Sequence, residues 1–254
     1  MWTRFGLLQK EKVAFGLRNQ FSASGYRLLL LKVHGGAITR SFSPNDVNTN
    51  TDKITITGHG LETGTRVTFS VDSGGSLPGG IVADTPYYLV RHNADEISLV
   101  ESFSDFLITL DQIANNQTLN KLVDLTSQGS GSFTLTVRQQ VGSDDFMAHA
   151  ARWETTGGGY TRKQFTVPEP TFGNPNNRVN FPAVSIVVNA SGGDIQYTHI
   201  ALAANAGDTI GNSIGILLGV EYTGALQTIP DGFGFTFIIS LASPAVAFNT
   251  AGIN

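Results

Sequence analysis

The amino-acid sequence predicts a mainly β protein: a β-sandwich or jelly-roll-like outer domain, a second small β domain inserted into it, and one short N-terminal helix. Three observations carry that expectation. From Lys53 onward, bulky and polar side chains alternate with the period of two that marks a half-buried strand. The 29 glycines and nine prolines fall mostly between the alternating runs, where turns need a positive or a fixed φ. Helical periodicity is confined to two short stretches.

The first of these lies near the start, where Val13, Leu17 and Phe21 fall four apart. Gly6 and Gly16 weaken it by about 1 kcal/mol each. A strand follows over Tyr26–Val33, whose apolar run Leu28–Leu31 is far too short to cross a bilayer or to form a signal-peptide core, so neither export nor membrane anchoring is expected. Ile54 and Ile56 then alternate with Thr55 and Thr57, and Val67, Phe69 and Val71 with Thr68 and Ser70. The second helical stretch has Phe106, Leu110 and Ile113 on one face and breaks at Asn115-Asn116. Beyond it, Phe133, Leu135 and Val137 share a face, as do Phe165 and Val167, and Val184, Ile186 and Val188. Phe233, Phe235, Phe237, Ile239 and Leu241 form the longest same-face row. Gly74-Gly75, Pro78-Gly79-Gly80, Gly157-Gly158-Gly159 and Gly192-Gly193 punctuate the series. Such regular strand-turn spacing reads as a sandwich or a jelly-roll-like barrel.

Two polar stretches divide the chain. Ser43-Pro44-Asn45-Asp46 with the Asn/Thr run to Thr51 is one, and Gln139-Gln140 through Asp144-Asp145 is the other. Between them lies a strand series of the size of a small domain. The expected boundaries are therefore 47–138 for the inserted β module, with 1–46 and 139–254 forming the outer domain.

Charged residues make up only 14% of the 254, against roughly 25% in ordinary soluble domains. A surface covered instead by Thr, Ser, Asn, Gln and Gly can be buried against a neighbour once its hydrogen bonds are met, which favours a subunit over a free monomer. The net charge of −4 offers no footprint for phosphate neutralisation, so nucleic acid is not an expected partner. With no cysteine, neither a disulfide framework nor a thiolate metal site is open to the chain.

The candidates for chemistry each have a plainer reading. Gly211-Asn212-Ser213-Ile214-Gly215 matches the G-x-S-x-G nucleophile elbow, but a strand-like Ile216–Val220 follows the serine and no histidine comes after His199, so the expected order of a triad fails. His34, His59, His92, His149 and His199 are scattered singly, without the spacing that puts two imidazoles on one metal. Asp144-Asp145 lacks the EF-hand pattern, and the glycine clusters lack that of a dinucleotide or phosphate loop. Tyr87-Tyr88, Trp153 and Tyr160 are recognition candidates whose plainer reading is core packing, and Arg162 reads as an internal hydrogen-bond or ion-pair donor. No catalytic, cofactor-binding or metal-ligating residue is assigned.

Two stretches carry a resemblance. The inner one reads TDKITITGHGLETGTRVTFS (51–70), LPGGIVADTPYYLVRHNADEISLVES (77–102) and DLTSQGSGSFTLTV (124–137). With its Gly-His-Gly-Leu turn at 58–61, it resembles a β module recurrent in tail and fibre proteins of tailed phages. The outer one reads FGLRNQFSASGYRLLLLK (15–32), GGGYTRKQFTVPEPTFGNPNNRVNFPAV (157–184), YTHIALA (197–203) and IGILLGVEYTGALQTIPDGFGFTFIISLA (214–242). It is similar to a small phage tail-fibre-like domain, anchored on Gly158-Gly159-Tyr160-Thr161-Arg162. Such domains usually run straight from the first strand to that turn, whereas the inner module interrupts them here. The link from Phe103 to Val123 is also longer than is usual in the module.

The resemblance implies a non-catalytic virion structural protein, of tail-fibre or tail-tip type, assembled in the host cytoplasm. A capsid decoration (cement) protein is the alternative, and a carbohydrate-binding module or a tailspike acting on host surface glycan is a more distant one, because no repeat-based β-helix is visible. The expected partners are copies of the chain itself, with a trimer as first guess from particle symmetry, and neighbouring virion proteins.

Overall fold

The protein is described from a computed structural model, over residues 26–33, 36–142, 144–166, 171–173, 178–180, 183–240 and 247–251. The helix expected around Val13, Leu17 and Phe21 lies outside these residues. The chain divides into two units, one running to Gly35 and resuming at Gln140, the other spanning Gly36–Gln139. Strand β1 (Tyr26–Leu31) belongs to the first unit. The second holds β2 (Thr39–Phe42), β3 (Val47–Asn48), β4 (Lys53–Thr55), β5 (Arg66–Val71), β6 (Tyr87–Arg91), β7 (Glu96–Val100), helix α1 (Phe103–Ala114) and β8 (Phe133–Val137). Then follow helix α2 (Met147–Arg152), β9 (Lys163–Phe165), β10 (Thr171–Gly173), β11 (Arg178–Asn180), β12 (Val184–Asn189), β13 (Ile195–Ala204), β14 (Ile216–Ile229), β15 (Gly234–Ser240) and β16 (Ala247–Ala251). The fold is mainly β, as the alternation predicts.

The inserted unit is one antiparallel sheet of order β2-β8-β5-β6-β7-β4-β3. Its two edge strands are consecutive in the chain, separated by a short turn in which the Ser43 amide and hydroxyl both donate to Asp46 Oδ2 at 2.8 Å. Four linking residues span at most about 14 Å. The sheet must therefore curl until its edges approach, which makes this unit barrel-like rather than a second sandwich. The alternation supplies the lining: Phe133, Leu135 and Val137 are buried while Thr134 and Thr136 are half-buried. Phe42, Phe69, Phe133 and Tyr87 pack ring against ring at 4.9–6.0 Å.

The start of this unit corrects the expected boundary at 47. Strand β2 pairs with β8, from Thr39 opposite Thr136 to Phe42 opposite Phe133, so residues 36–46 fold with the insert. The polar Ser43–Thr51 stretch holds a tight turn and strand β3 inside the unit and is not a linker between units. Entry and exit also lie side by side, since the Val137 amide donates to Ile38 O at 2.9 Å.

The unusually long link after Phe103 is helix α1. Ser102 caps it, its hydroxyl oxygen accepting from the Asp105 amide, and Phe106 stacks on Tyr88 at 4.9 Å. The buried stripe is Phe106, Thr109 and Gln112, whereas Ile113, expected on that face, is 45% exposed. Burial of the two polar residues is compensated: Thr109 Oγ1 donates to Asp105 O, and Gln112 Nε2 donates to Asn120 Oδ1 while its Oε1 accepts the Asn120 amide.

In the outer unit, a sheet of order β14-β13-β1-β9 faces a second of order β12-β15-β16. Leu28, Leu30 and Leu202 from the first meet Ile186, Val188 and Phe237 from the second in one core. Leu29, Leu31, Ala201 and Ala203, which point the other way, are buried as well, and α2 packs against β14. Strand β1 is thus buried on both faces, which explains why its sequence is an unbroken apolar run without alternation. The C-terminal row is shorter than expected. Phe235, Phe237 and Ile239 lie in β15, Phe233 sits 49% exposed in the preceding turn, and Leu241 and Val167 lie outside the described residues.

Candidate functional site

The glycine clusters come first, because they place everything near Arg162. Gly158 and Gly159 have φ of +57° and +63°. A side chain on Gly158 would sit 2.7 Å from Gly193 O, and one on Gly159 2.8 Å from Ser191 O. The two clusters that look like independent turns in sequence are therefore packed backbone to backbone. That contact leads the chain through Tyr160 to Arg162.

Arg162 is buried and donates through Nη2 to Glu154 Oε2 at 2.7 Å and through Nε to Glu154 Oε1 at 2.9 Å. Its Nη1 and Nη2 also donate to Gly207 O and Asn212 O. Glu154 accepts further bonds from the Tyr160 hydroxyl and the Gly211 amide. Both side chains of the pair are 0% exposed. Burial, with the Glu154 carboxylate alongside, pushes the Tyr160 hydroxyl far above its ordinary range. Tyr160 also accepts the Leu30 amide at 3.0 Å. Every bond of this network is internal, and its product is a fixed path for residues 207–212. Sequence picked out Arg162 as an internal donor but gave no sign of Glu154, which arrives from the end of α2.

The remaining candidates land on structural duties. Ser213 directly follows that path, with β14 and no helix after it. Tyr87, Tyr88, Trp153 and Tyr160 are all buried. Asp145 Oδ2 accepts the Gly142 amide in a turn. His59 sits between Gly58 and Gly60 as expected, fully buried. His199 lies within β13, and its ring packs 5.0 Å from Tyr222. His149 Nε2 donates to Gln140 O at 2.7 Å, and His34 is outside the described residues. Among the described residues, no three His, Asp or Glu side chains group where a metal could be held, and no helix is long and apolar enough to cross a membrane.

One serine-histidine pair was not visible in the sequence. His92 Nε2 lies 2.8 Å from Ser98 Oγ, and Ser98 Oγ donates to Asp52 O at 2.6 Å. With the hydroxyl proton committed to Asp52, the imidazole is the donor, the reverse of what a serine nucleophile needs. Partial burial and the Lys53 charge depress the His92 pKa, against a smaller opposing effect of Glu96.

What is left without an internal duty is a surface. Ser185, Val187 and Asn189 point away from the outer unit's core and are exposed, Val187 by 51%. Gly234, Thr236 and Ile238 stand opposite them in register on β15, and Ala251 and Asn249 on β16 stand opposite Thr236 and Ile238. None of these residues is charged. The same depletion runs through the sequence: after Arg178 there is no Lys or Arg, and Asp194, Asp208, Glu221 and Asp231 are the only acids. Three of those four are tied internally, Asp208 to Arg27, Asp194 to the Asp231 amide and Asp231 to the Gly192 amide. This run of 76 residues was a readable signal that the overall charge fraction hides. No family model, curated protein or solved structure matches the chain.

Proposed function

We propose that the chain is a non-catalytic structural subunit of a tailed-phage particle, of tail-fibre or tail-tip type, which assembles through uncharged sheet surface. The observation that carries this reading is the charge-free outer face of β12 and β15 within a C-terminal stretch that lacks Lys and Arg. A face of Ser, Val, Asn, Thr and Ile in water gains from being covered, and a neighbour that covers it has no ion to desolvate. The particle class comes from the resemblance of residues 51–137 and 157–242 to phage modules. The passive role is supported by Arg162, Glu154, Tyr160 and His59, all of which are spent on holding backbone in place.

Val187→Lys tests the surface. The side chain is exposed, so the folded monomer should tolerate the change within about 0.5 kcal/mol, while light scattering should show loss of the oligomer and the variant should fail to enter particles. An unchanged oligomer would remove this face from the reading. Antibody labelling of particles under the electron microscope tests location: label at one end fits a tail part, label over the head lattice fits the decoration alternative, and no label on purified particles ends the virion proposal.

A further inference from the structure

We infer that His59 is a proton-sensitive latch in the inserted unit, pinning the turn at Gly58–Leu61 onto the β6–β7 hairpin while its imidazole is neutral. The Leu61 amide donates to His59 Nδ1 at 2.9 Å. An imidazole nitrogen that accepts an N–H carries no proton, so the other nitrogen must, and Nε2 accordingly donates to Asn93 O at 3.1 Å. One tautomer of the neutral ring satisfies both partners. Protonation puts a second N–H on Nδ1, facing the N–H of Leu61, in a residue that is 0% exposed beside a leucine that is also 0% exposed. The ring then loses one bond, leaves a buried amide unsatisfied and gains a buried charge.

Charged groups from several elements stand around the turn. Arg40 Nε donates to His59 O from β2, and Arg91 Nε donates to the same Asn93 carbonyl from β6. Of the carboxylates nearby, Asp95 accepts the Gly58 amide through Oδ1 and Glu62 pairs with Arg91. Two glycines in left-handed geometry, Gly58 at φ +58° and Gly60 at +61°, let the turn form around the ring. The ladders of the preceding strand are short: β4 pairs with β7 through two residue pairs and with β3 through two. Besides the imidazole, the first half of the β4–β5 crossover is fastened to the hairpin by the Ile56 amide on Asp95 O and the Gly58 amide on Asp95 Oδ1. Its second half is fastened by the Gly64 amide on Leu89 O, the Leu89 amide on Thr65 O, the Arg91 amide on Thr63 Oγ1 and the Glu62–Arg91 ion pair.

The test is amide exchange at Leu61, corrected for the intrinsic pH dependence, in the whole chain at pH 7, 6 and 5. Linkage to one proton predicts a rise of about tenfold per pH unit once opening is coupled to protonation. His59→Asn keeps an oxygen that can accept the Leu61 amide but cannot titrate, and should flatten the dependence. The same rise in wild type and variant, or no rise in wild type, overturns the latch. Should His59→Asn not fold, nitrogen-15 spectra of the wild-type imidazoles decide: protonation of Nδ1 and loss of Leu61 protection must share one midpoint, and separate midpoints overturn the proposal.

Discussion

Glu154 and Arg162 form a dry ion pair, and such pairs contribute little net stability because desolvation offsets attraction. Removing one partner is another matter, since it strands the other charge. Glu154→Gln should lower stability by about 3–5 kcal/mol in chemical denaturation. The pair Glu154→Met with Arg162→Met should cost less than the two single changes added together, and strict additivity in that double-mutant cycle would show that the two residues act independently. Tyr160, in the same network, makes stability depend on alkali. Its proton is held in the folded state above the pH at which an unfolded tyrosine ionises near 10. The folded chain thus binds more protons there, and stability is full below pH 10 and falls as pH rises beyond it, by up to about 1.4 kcal/mol per unit. Tyr160→Phe should flatten that slope in denaturation curves collected from pH 9 to 11. Tyr197, pushed up to about 12 by burial, works in the same direction. His92 acts at the other end: its depressed folded pKa means stability is full above about 6.5 and erodes as pH falls below it.

Among the local elements, the glycine pairing and the α1 cap offer sharp comparisons. Gly211 has φ +76° with open space around it, so Gly211→Ala should cost only the left-handed penalty of about 1–2 kcal/mol. Gly158→Ala adds a collision with the Gly193 carbonyl and the Ile195 side chain, and should cost about 1–3 kcal/mol more. Equal melting shifts for the two would mean that the turn at Gly192-Gly193 yields freely. Ser102→Ala removes the oxygen that accepts the Asp105 amide and should cost about 1 kcal/mol. The alternating strands were legible at this scale: the threonines and serines of β5 and β8 lie where the period-two pattern put them. The buried side of α1 was not, because Thr109 and Gln112 gain burial from bonds to Asp105 and Asn120 that no apolar pattern encodes.

The largest scale concerns how one chain holds two units. The inserted one begins and ends on neighbouring segments, with Ile38 bonded to Val137, and has its own aromatic core. Residues 36–139 made alone should therefore unfold in a single cooperative transition, since an insert with adjacent ends needs no help from its host to close. A broad, non-cooperative melt of that fragment, by circular dichroism or calorimetry, would show instead that its stability is borrowed from the rest of the chain.

By itself, the order of side chains determined that this protein is built of strands, where most turns fall, that a helix follows Phe103, and that a second strand series interrupts the first. Those properties are set by neighbours two to four residues apart, which is the range over which alternation and glycine spacing act. Tertiary structure decided what pairs with what. Thr39–Phe42 joins the insert because its register partner lies nearly a hundred residues downstream in β8; Arg162 finds Glu154, and the glycines at 157–159 meet those at 192–193, through packing alone. Contacts between distant segments depend on the closure of whole sheets, and no local pattern of residues records them.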